Sequence, residues 1–393
     1  MDEYLASHLD GLRGQNLFRE LRRVDSPQSS RIQMEGRTFV NFSSNDYLGL
    51  ANHAVLKEAG IKAIEEFGAG AGASRLVCGS LAPFHELEET IAAFKKTEGA
   101  LAFSTGYAAA VGTICALLDT RDVIVLDKLV HASIVDAAKL CGATLRIFAH
   151  NDLNELEARL KWAANRQSRA LIVTESIFSM DGDAAPLRDI VALKEKFGAW
   201  LMVDEAHATG VRGHGGRGLA DELGVAGAIE LQMGTLGKAL GAGGGYLCGS
   251  RTLIDFLVNR ARSFIFSTAP VPAAAAAATA AIGLVESDDG AARRERLWKR
   301  IAEARQAIQR FGRLGESGSR ETSGAIFPMI CGDEAAALAA AAALRERNIY
   351  VPAIRFPAVA RGKARLRITV TAEHTPEDIQ ALADALKAAG KIF

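Results

Sequence analysis

From about residue 100 to 250, short, mainly apolar runs rich in β-forming residues alternate with stretches whose apolar positions recur at helical spacing. The apolar runs are Val123–Leu126, Leu145–Phe148, Ala170–Thr174, Trp200–Val203, Glu230–Met233 and Gly245–Cys248; helical patterns fill 131–141, 153–165 and 187–197. A strand that is apolar on both sides must be covered on both sides, and strands separated by helices run parallel. The pattern predicts an α/β layer with its ligand site at the carboxyl ends of the strands.

The flanks read differently. Residues 3–23 have the spacing of an amphipathic helix that ends in basic residues, and a hairpin-like piece follows through Val40-Asn41-Phe42. Helices are expected over 53–67 and 83–96, with Gly68 to Arg75 between them too rich in glycine for regular structure. An alanine-rich helix is expected over 270–286, opened by Pro270 and Pro272, and a charged one over 291–312. The pattern then restarts: strand 325–331, helix 334–346, strands 349–353 and 364–370, helix 376–389. The expected organisation is an N-terminal helix and arm (1–50), a large α/β domain (51–286) and a smaller α+β domain (287–393).

Composition narrows the function classes. Of 393 residues, 46 are basic and 46 acidic, so no charge excess points to nucleic acid or an anionic membrane. The five cysteines are scattered without a C-x-x-C, which reads as reduced thiols and not as a disulfide frame or metal site. The start lacks a basic segment followed by an apolar one, and the apolar run Ala273–Val285 is too short to span a bilayer. A cytoplasmic enzyme without a membrane segment is expected.

Candidate chemistry gathers just past the strands. The stretch Gly234-Thr235-Leu236-Gly237-Lys238 places one lysine in a glycine run that continues to Gly245. A poorly solvated lysine is the type that forms Schiff bases with carbonyl compounds. Asp204 emerges from a buried strand with His207 three residues on; a carboxylate there can hold a heteroaromatic nitrogen protonated, and equally can cap a turn. Ser104-Thr105-Gly106-Tyr107 opens a helical run, where main-chain N–H groups either receive a phosphate or carry an ordinary cap. His131 begins another helix, able to stack on a flat ligand or to cap; Ser179 lies in a polar segment after 170–174. Arg365 and Arg367 alternate on one strand face, either a carboxylate clamp or an exposed edge. Gly213 to Gly218 matches G-x-G-x-x-G only formally, since no strand leads through it into an apolar helix. Gly237-Lys238 lacks both the Ser/Thr and the first glycine of a P-loop.

Taken in order, these pieces resemble the fold-type I pyridoxal-phosphate enzymes, and more narrowly the α-oxoamine synthases, which join an amino acid to an acyl thioester with loss of carbon dioxide. The strings that carry the resemblance are Asn41-Phe42-Ser43-Ser44-Asn45-Asp46-Tyr47-Leu48-Gly49, Phe178-Ser179-Met180-Asp181-Gly182, Val203-Asp204-Glu205-Ala206-His207-Ala208-Thr209-Gly210 and Gly234-Thr235-Leu236-Gly237-Lys238. It implies a large lobe with a mainly parallel mixed sheet, a smaller C-terminal α+β domain, pyridoxal 5'-phosphate as cofactor and a homodimer with shared sites. It also implies roles. Lys238 tethers the cofactor and removes the α-proton, Asp204 faces the ring nitrogen, and His131 stacks on the ring. His207 and Ser179 reach the ring oxygen, and Gly106, Tyr107 and Thr235 hold the phosphate, joined by Ser267 and Thr268 of the partner. Arg367 clamps the amino acid carboxylate and Asn45 orients it; Arg19 and Arg355 meet the acyl substrate, Arg19 aligning loosely. The narrower implied substrates are L-alanine and a pimeloyl thioester of coenzyme A or acyl carrier protein. Glycine- or serine-using sister synthases and an aminotransferase are the alternatives.

Overall fold

The computed structural model describes residues 1–309, 311 and 323–390. Its internal contacts divide it into two units: Met1–Gly49, Met180–Asp183 and Glu295–Phe393 form one, Leu50–Ser179 and Ala184–Arg294 the other.

The first unit opens with a helix, Asp2–Gly14, in which no residue is buried. The helix expected to reach residue 23 stops here because Asn16 turns left-handed (φ 56°) and the Leu17 N–H folds back onto the Leu12 carbonyl. A hairpin follows, β1 (Arg31–Met34) and β2 (Arg37–Asn41). Its two-residue turn, Glu35-Gly36, has φ positive at both positions, which matches the twist of the paired strands.

The second unit is built on a seven-stranded sheet. Its strands are β3 (Gly99–Phe103), β4 (Val123–Asp127), β5 (Thr144–Phe148), β6 (Ala170–Glu175), β7 (Trp200–Asp204), β8 (Leu231–Thr235) and β9 (Gly245–Gly249). They lie in the order β3-β9-β8-β7-β6-β4-β5, with β9 antiparallel to its neighbours and the central pairs parallel. The apolar runs alternate sides as a pleated strand must. Ile124, Leu126, Val173 and Met202 enter one core with the helices Gly106–Leu117 and Ala132–Leu140. Val123, Val125, Ile172, Leu201 and Val203 enter the other with Leu153–Ala164 and Leu187–Phe197. β3 was not legible in the apolar pattern: its five residues, Gly-Ala-Leu-Ala-Phe, are all buried, yet small ones dilute the signal. The alanine-rich helix Pro272–Glu286 packs on the helices Ala54–Phe67 and Ala82–Lys95.

Just past the end of β7 lies a buried ion pair, Lys95 with Glu205, both almost fully enclosed. Burial works against the charge on Lys95, but Glu205, Tyr246 and Cys248 together outweigh it and raise the amine's pKa. Glu205 also accepts the Ala220 N–H at 2.9 Å. Lys95→Met removes the cation and leaves that carboxylate enclosed, so denaturant unfolding of the cofactor-free protein should show a loss of about 3–5 kcal/mol.

The chain returns to the first unit through the helix Asp288–Ile308; residues 310 and 312, the end of the expected helix, lie outside the described residues. There β10 (Ile326–Gly332), β12 (Ala353–Ile354) and β13 (Ala364–Thr369) form an antiparallel sheet, while β11 (Ile349–Tyr350) pairs with β2 in parallel. The strand expected over 349–353 is thus two short ones joined by Val351-Pro352, where proline has no N–H to give a ladder. β13 lies between its two partners, so Arg365 and Arg367 are buried and do not form an exposed edge face.

Candidate active site

The site begins where β6, β7 and β8 end. Asp204, the last residue of β7, is 5 % exposed, and its Oδ1 accepts the Ala206 N–H at 2.9 Å. Its pKa is raised, first by burial, with Lys238 opposing. The chain turns immediately, and His207 comes back on the same end, 6 % exposed. Lys238, half-buried, donates from Nζ to His207 Nε2 at 2.9 Å. One lysine, one imidazole and one enclosed carboxylate therefore meet at the carboxyl ends of parallel strands.

His131 joins them from the loop after β4. Its Nδ1 accepts the Ser133 N–H at 3.3 Å and lies 2.8 Å from the Ser133 hydroxyl, so it caps the helix 132–140 as a plain histidine would. Capping uses only Nδ1 and leaves the ring face and Nε2 free for a second task. Partial burial lowers the imidazole pKa, Asp204 opposing and Lys238 assisting, so the ring is neutral near pH 7. Cap and ligand contact were alternatives in the sequence; the geometry is compatible with both at once.

The phosphate candidate is the N-terminus of the helix Gly106–Leu117. Thr105 caps it by accepting the Ala108 N–H at 3.0 Å. A Cβ built on Gly106 would lie 3.9 Å from Thr235 Cβ, so the helix start faces the end of β8. Gly245 makes that approach possible: a Cβ there would stand 2.5 Å from Gly106 Cα. At least part of the glycine run thus accommodates protein backbone. Thr235 donates its hydroxyl to the Gly244 carbonyl at 3.0 Å. Tyr107 points outward, its hydroxyl donating to Asp136 at 2.8 Å, which leaves its main-chain N–H for the site. Ser267 and Thr268 lie on a partly exposed segment tied down by a bridge between Ser74 and Thr268.

One residue of the cluster was missed in the sequence. Glu175 ends β6 directly beside Asp204 in the parallel register, and its Oε2 accepts the Ser179 N–H at 3.0 Å. It is 2 % exposed. A charged residue closing a strand that opens with four apolar ones was the available signal.

In the first unit, Arg367 is buried and donates from Nη1 to Asn45 Oδ1 at 3.0 Å; the Tyr47 hydroxyl donates to the same oxygen at 3.1 Å. Arg365, its alternate on β13, is committed elsewhere: it donates to Asp181 Oδ1 at 2.9 Å and to the Met180 carbonyl. Arg19 donates to the Phe356 carbonyl at 2.7 Å, and Arg355 to the carbonyls of Asn16 and Phe18. Arg19 and Arg355 line one open groove of about 730 Å³ within this unit.

The Aminotransferase class I and II family matches residues 37–386. The chain belongs to this family. Relatives align along its whole length. The 8-amino-7-oxononanoate synthase of Geobacter sulfurreducens is 48% identical over 391 residues, covering 100% of this chain and 99% of the relative. That of Thermoanaerobacter pseudethanolicus is 42% identical over 389 residues, 99% and 97% of the two chains. Among solved structures, a PLP-bound serine palmitoyltransferase from S. paucimobilis superposes with a TM-score of 0.92 at 30% identity, covering 98% and 96%. An 8-amino-7-oxononanoate synthase from Francisella tularensis does so at 0.75 and 26%, covering 89% and 97%. The expected fold-type I architecture and the α-oxoamine synthase resemblance are both borne out.

Proposed function

We propose that this chain is a pyridoxal-phosphate-dependent acyltransferase. It condenses L-alanine with a pimeloyl thioester and releases carbon dioxide, free thiol and 8-amino-7-oxononanoate. The observation that carries the cofactor reading is the meeting of Lys238 Nζ, His207 and the enclosed Asp204 at the strand ends. The relatives' shared activity supports the choice of reaction.

The residues present fit the cofactor. Asp204 is buried with its charge penalised, which suits a cationic ring N–H in front of it. The helix start at Gly106 and Tyr107 offers main-chain N–H groups for a phosphate, and Thr235 beside it would add its hydroxyl by exchanging its bond to the Gly244 carbonyl. Lys238 would hold the carbonyl end, His131 the ring face, and His207 with Ser179 the ring oxygen. Ser267 and Thr268 would serve the phosphate of a second copy of the chain. The bound cofactor supplies an electron sink for the carbanion of the amino acid.

The chain's own groups do the rest. Lys238 Nζ takes the α-proton of alanine and returns a proton to the product carbon, with His207 Nε2 as its hydrogen-bond partner. Asp204 keeps its negative charge by holding a proton on the nitrogen opposite it. Arg367, oriented by Asn45, receives the alanine carboxylate; this selects which bond to the α-carbon is cleaved. Arg19 and Arg355 receive the acyl substrate. Arg367→Lys keeps the charge but loses the planar fork, and should lower kcat/KM for alanine roughly 10–100-fold, mostly through KM, in steady-state assays.

Backbone likeness to serine palmitoyltransferase makes serine the specific competitor as amino acid. A panel of alanine with pimeloyl-CoA, serine with palmitoyl-CoA and glycine with acetyl-CoA, read by thiol release, decides between them. The alanine pair should lead by at least about tenfold in kcat/KM; a lead for either other pair would refute the substrate assignment.

A further inference from the structure

Glu175 has no part in the chemistry above, yet it stands in the middle of it. It ends β6 as Asp204 ends β7, and the two are register partners in a parallel pair, so both side chains leave the sheet on the same face about 5 Å apart. Both are enclosed. Oε2 is occupied by the Ser179 N–H, whereas Oε1 makes no hydrogen bond. A buried carboxylate with one unpaired oxygen, next to a second carboxylate, is a costly anion. A proton on Oε1 removes the charge, and with it the larger part of that cost.

We propose that Glu175 is a positioning residue for the cofactor-nitrogen site: it sits there as a neutral carboxylic acid, fastens the Ser179 loop to the end of β6, and leaves Asp204 the one anion of the pair. The inference rests on reading Asp204 as the partner of a protonated ring nitrogen. The groups facing Glu175 are Asp204 from β7, Lys238 from the loop after β8, and the main-chain N–H groups of Ser179 and His131. Burial and then Asp204 push its carboxyl up to about 8; Lys238 and the two N–H groups pull the other way without prevailing. With Glu175 neutral, Asp204 needs only one cation opposite it. With both ionised, Lys238 and the ring nitrogen would be shared between two carboxylates, and the ring proton would no longer have a single defined acceptor.

The sign of the pH effect follows. The folded protein keeps a proton that the unfolded chain gives up above the ordinary carboxyl value of 4.5, so this contribution to stability is lost as pH rises from about 4.5 through about 8. Melting temperatures of the cofactor-free protein and of E175Q, measured from pH 5 to 9, should therefore diverge. The unmodified protein should fall by roughly 3 °C or more relative to E175Q across the range. Equilibrium titration with pyridoxal phosphate, read by its visible band, gives the second arm. E175A should bind about tenfold more weakly than the unmodified protein, and E175Q, which keeps the acceptor for Ser179 without a charge, should recover most of that loss. Equal weakness of E175Q and E175A, a melting difference independent of pH, or an E175Q protein that does not fold would each overturn the proposal. Neither arm uses turnover, so a protein that binds the cofactor normally yet releases no thiol from pimeloyl-CoA would refute the reaction assignment alone.

Discussion

Lys238→Ala is expected to abolish turnover, lowering kcat by about 10⁴-fold or more, because one residue is both tether and proton carrier. The fold should survive. Lys238 is half-buried, in a loop, and its side chain makes a hydrogen bond to His207 and no part of a core. Borohydride treatment followed by peptide mass mapping gives the direct check. The unmodified protein should carry a pyridoxyl group on the peptide containing Lys238, and the variant should carry none there. Circular dichroism should match that of the parent, and melting should fall modestly, by about 1–3 kcal/mol of stability, because the enclosed Asp204 loses the cation opposite it. Retained turnover would remove Lys238 from its role.

Asp204→Asn should separate function from stability in the opposite direction. The amide keeps the shape but cannot balance a ring N–H cation, so turnover should fall by about 10²- to 10³-fold, with the cofactor's visible band changed. Burial already penalises the Asp204 carboxylate, raising its pKa. Neutralising the group relieves that penalty, so the cofactor-free variant should melt no lower than its parent at pH 7 and lose its advantage in acid, where the parent's carboxyl is protonated. Steady-state kinetics and a pH series of melting curves measure both halves. A marked loss of stability at pH 7 would mean that the Asp204 charge is satisfied within the protein and is not kept for a ligand.

Much of the second unit was legible because its central strands are buried on both sides. Val123, Ile124, Val125 and Leu126 are all fully enclosed, and so short a run with no polar position between turn signals fits a strand covered on both faces. β3 escaped for the converse reason: a glycine and two alanines bury well but carry little apolar signal. The first unit was harder. The amphipathic spacing past Gly14 continues in the sequence, but a left-handed Asn16 ends the helix, and that preference is written in one residue against a whole period. The two alternating arginines of β13 show what spacing cannot decide. They share a face, yet Arg365 pairs with Asp181, 184 residues away in sequence, while Arg367 meets Asn45. Which partner each meets depends on contacts that no local pattern encodes. Glu175 was hidden likewise: its significance comes from standing beside Asp204 across a strand pair, and β6 and β7 are joined through a helix.

The decarboxylative condensation itself is tested most directly with alanine labelled at its carboxyl carbon. Incubated with the holoenzyme and pimeloyl-CoA, it should release labelled carbon dioxide and free thiol in equal amounts, with 8-amino-7-oxononanoate as the product by mass. Consumption of alanine that yields a keto acid, with the label retained and no thiol released, would contradict it.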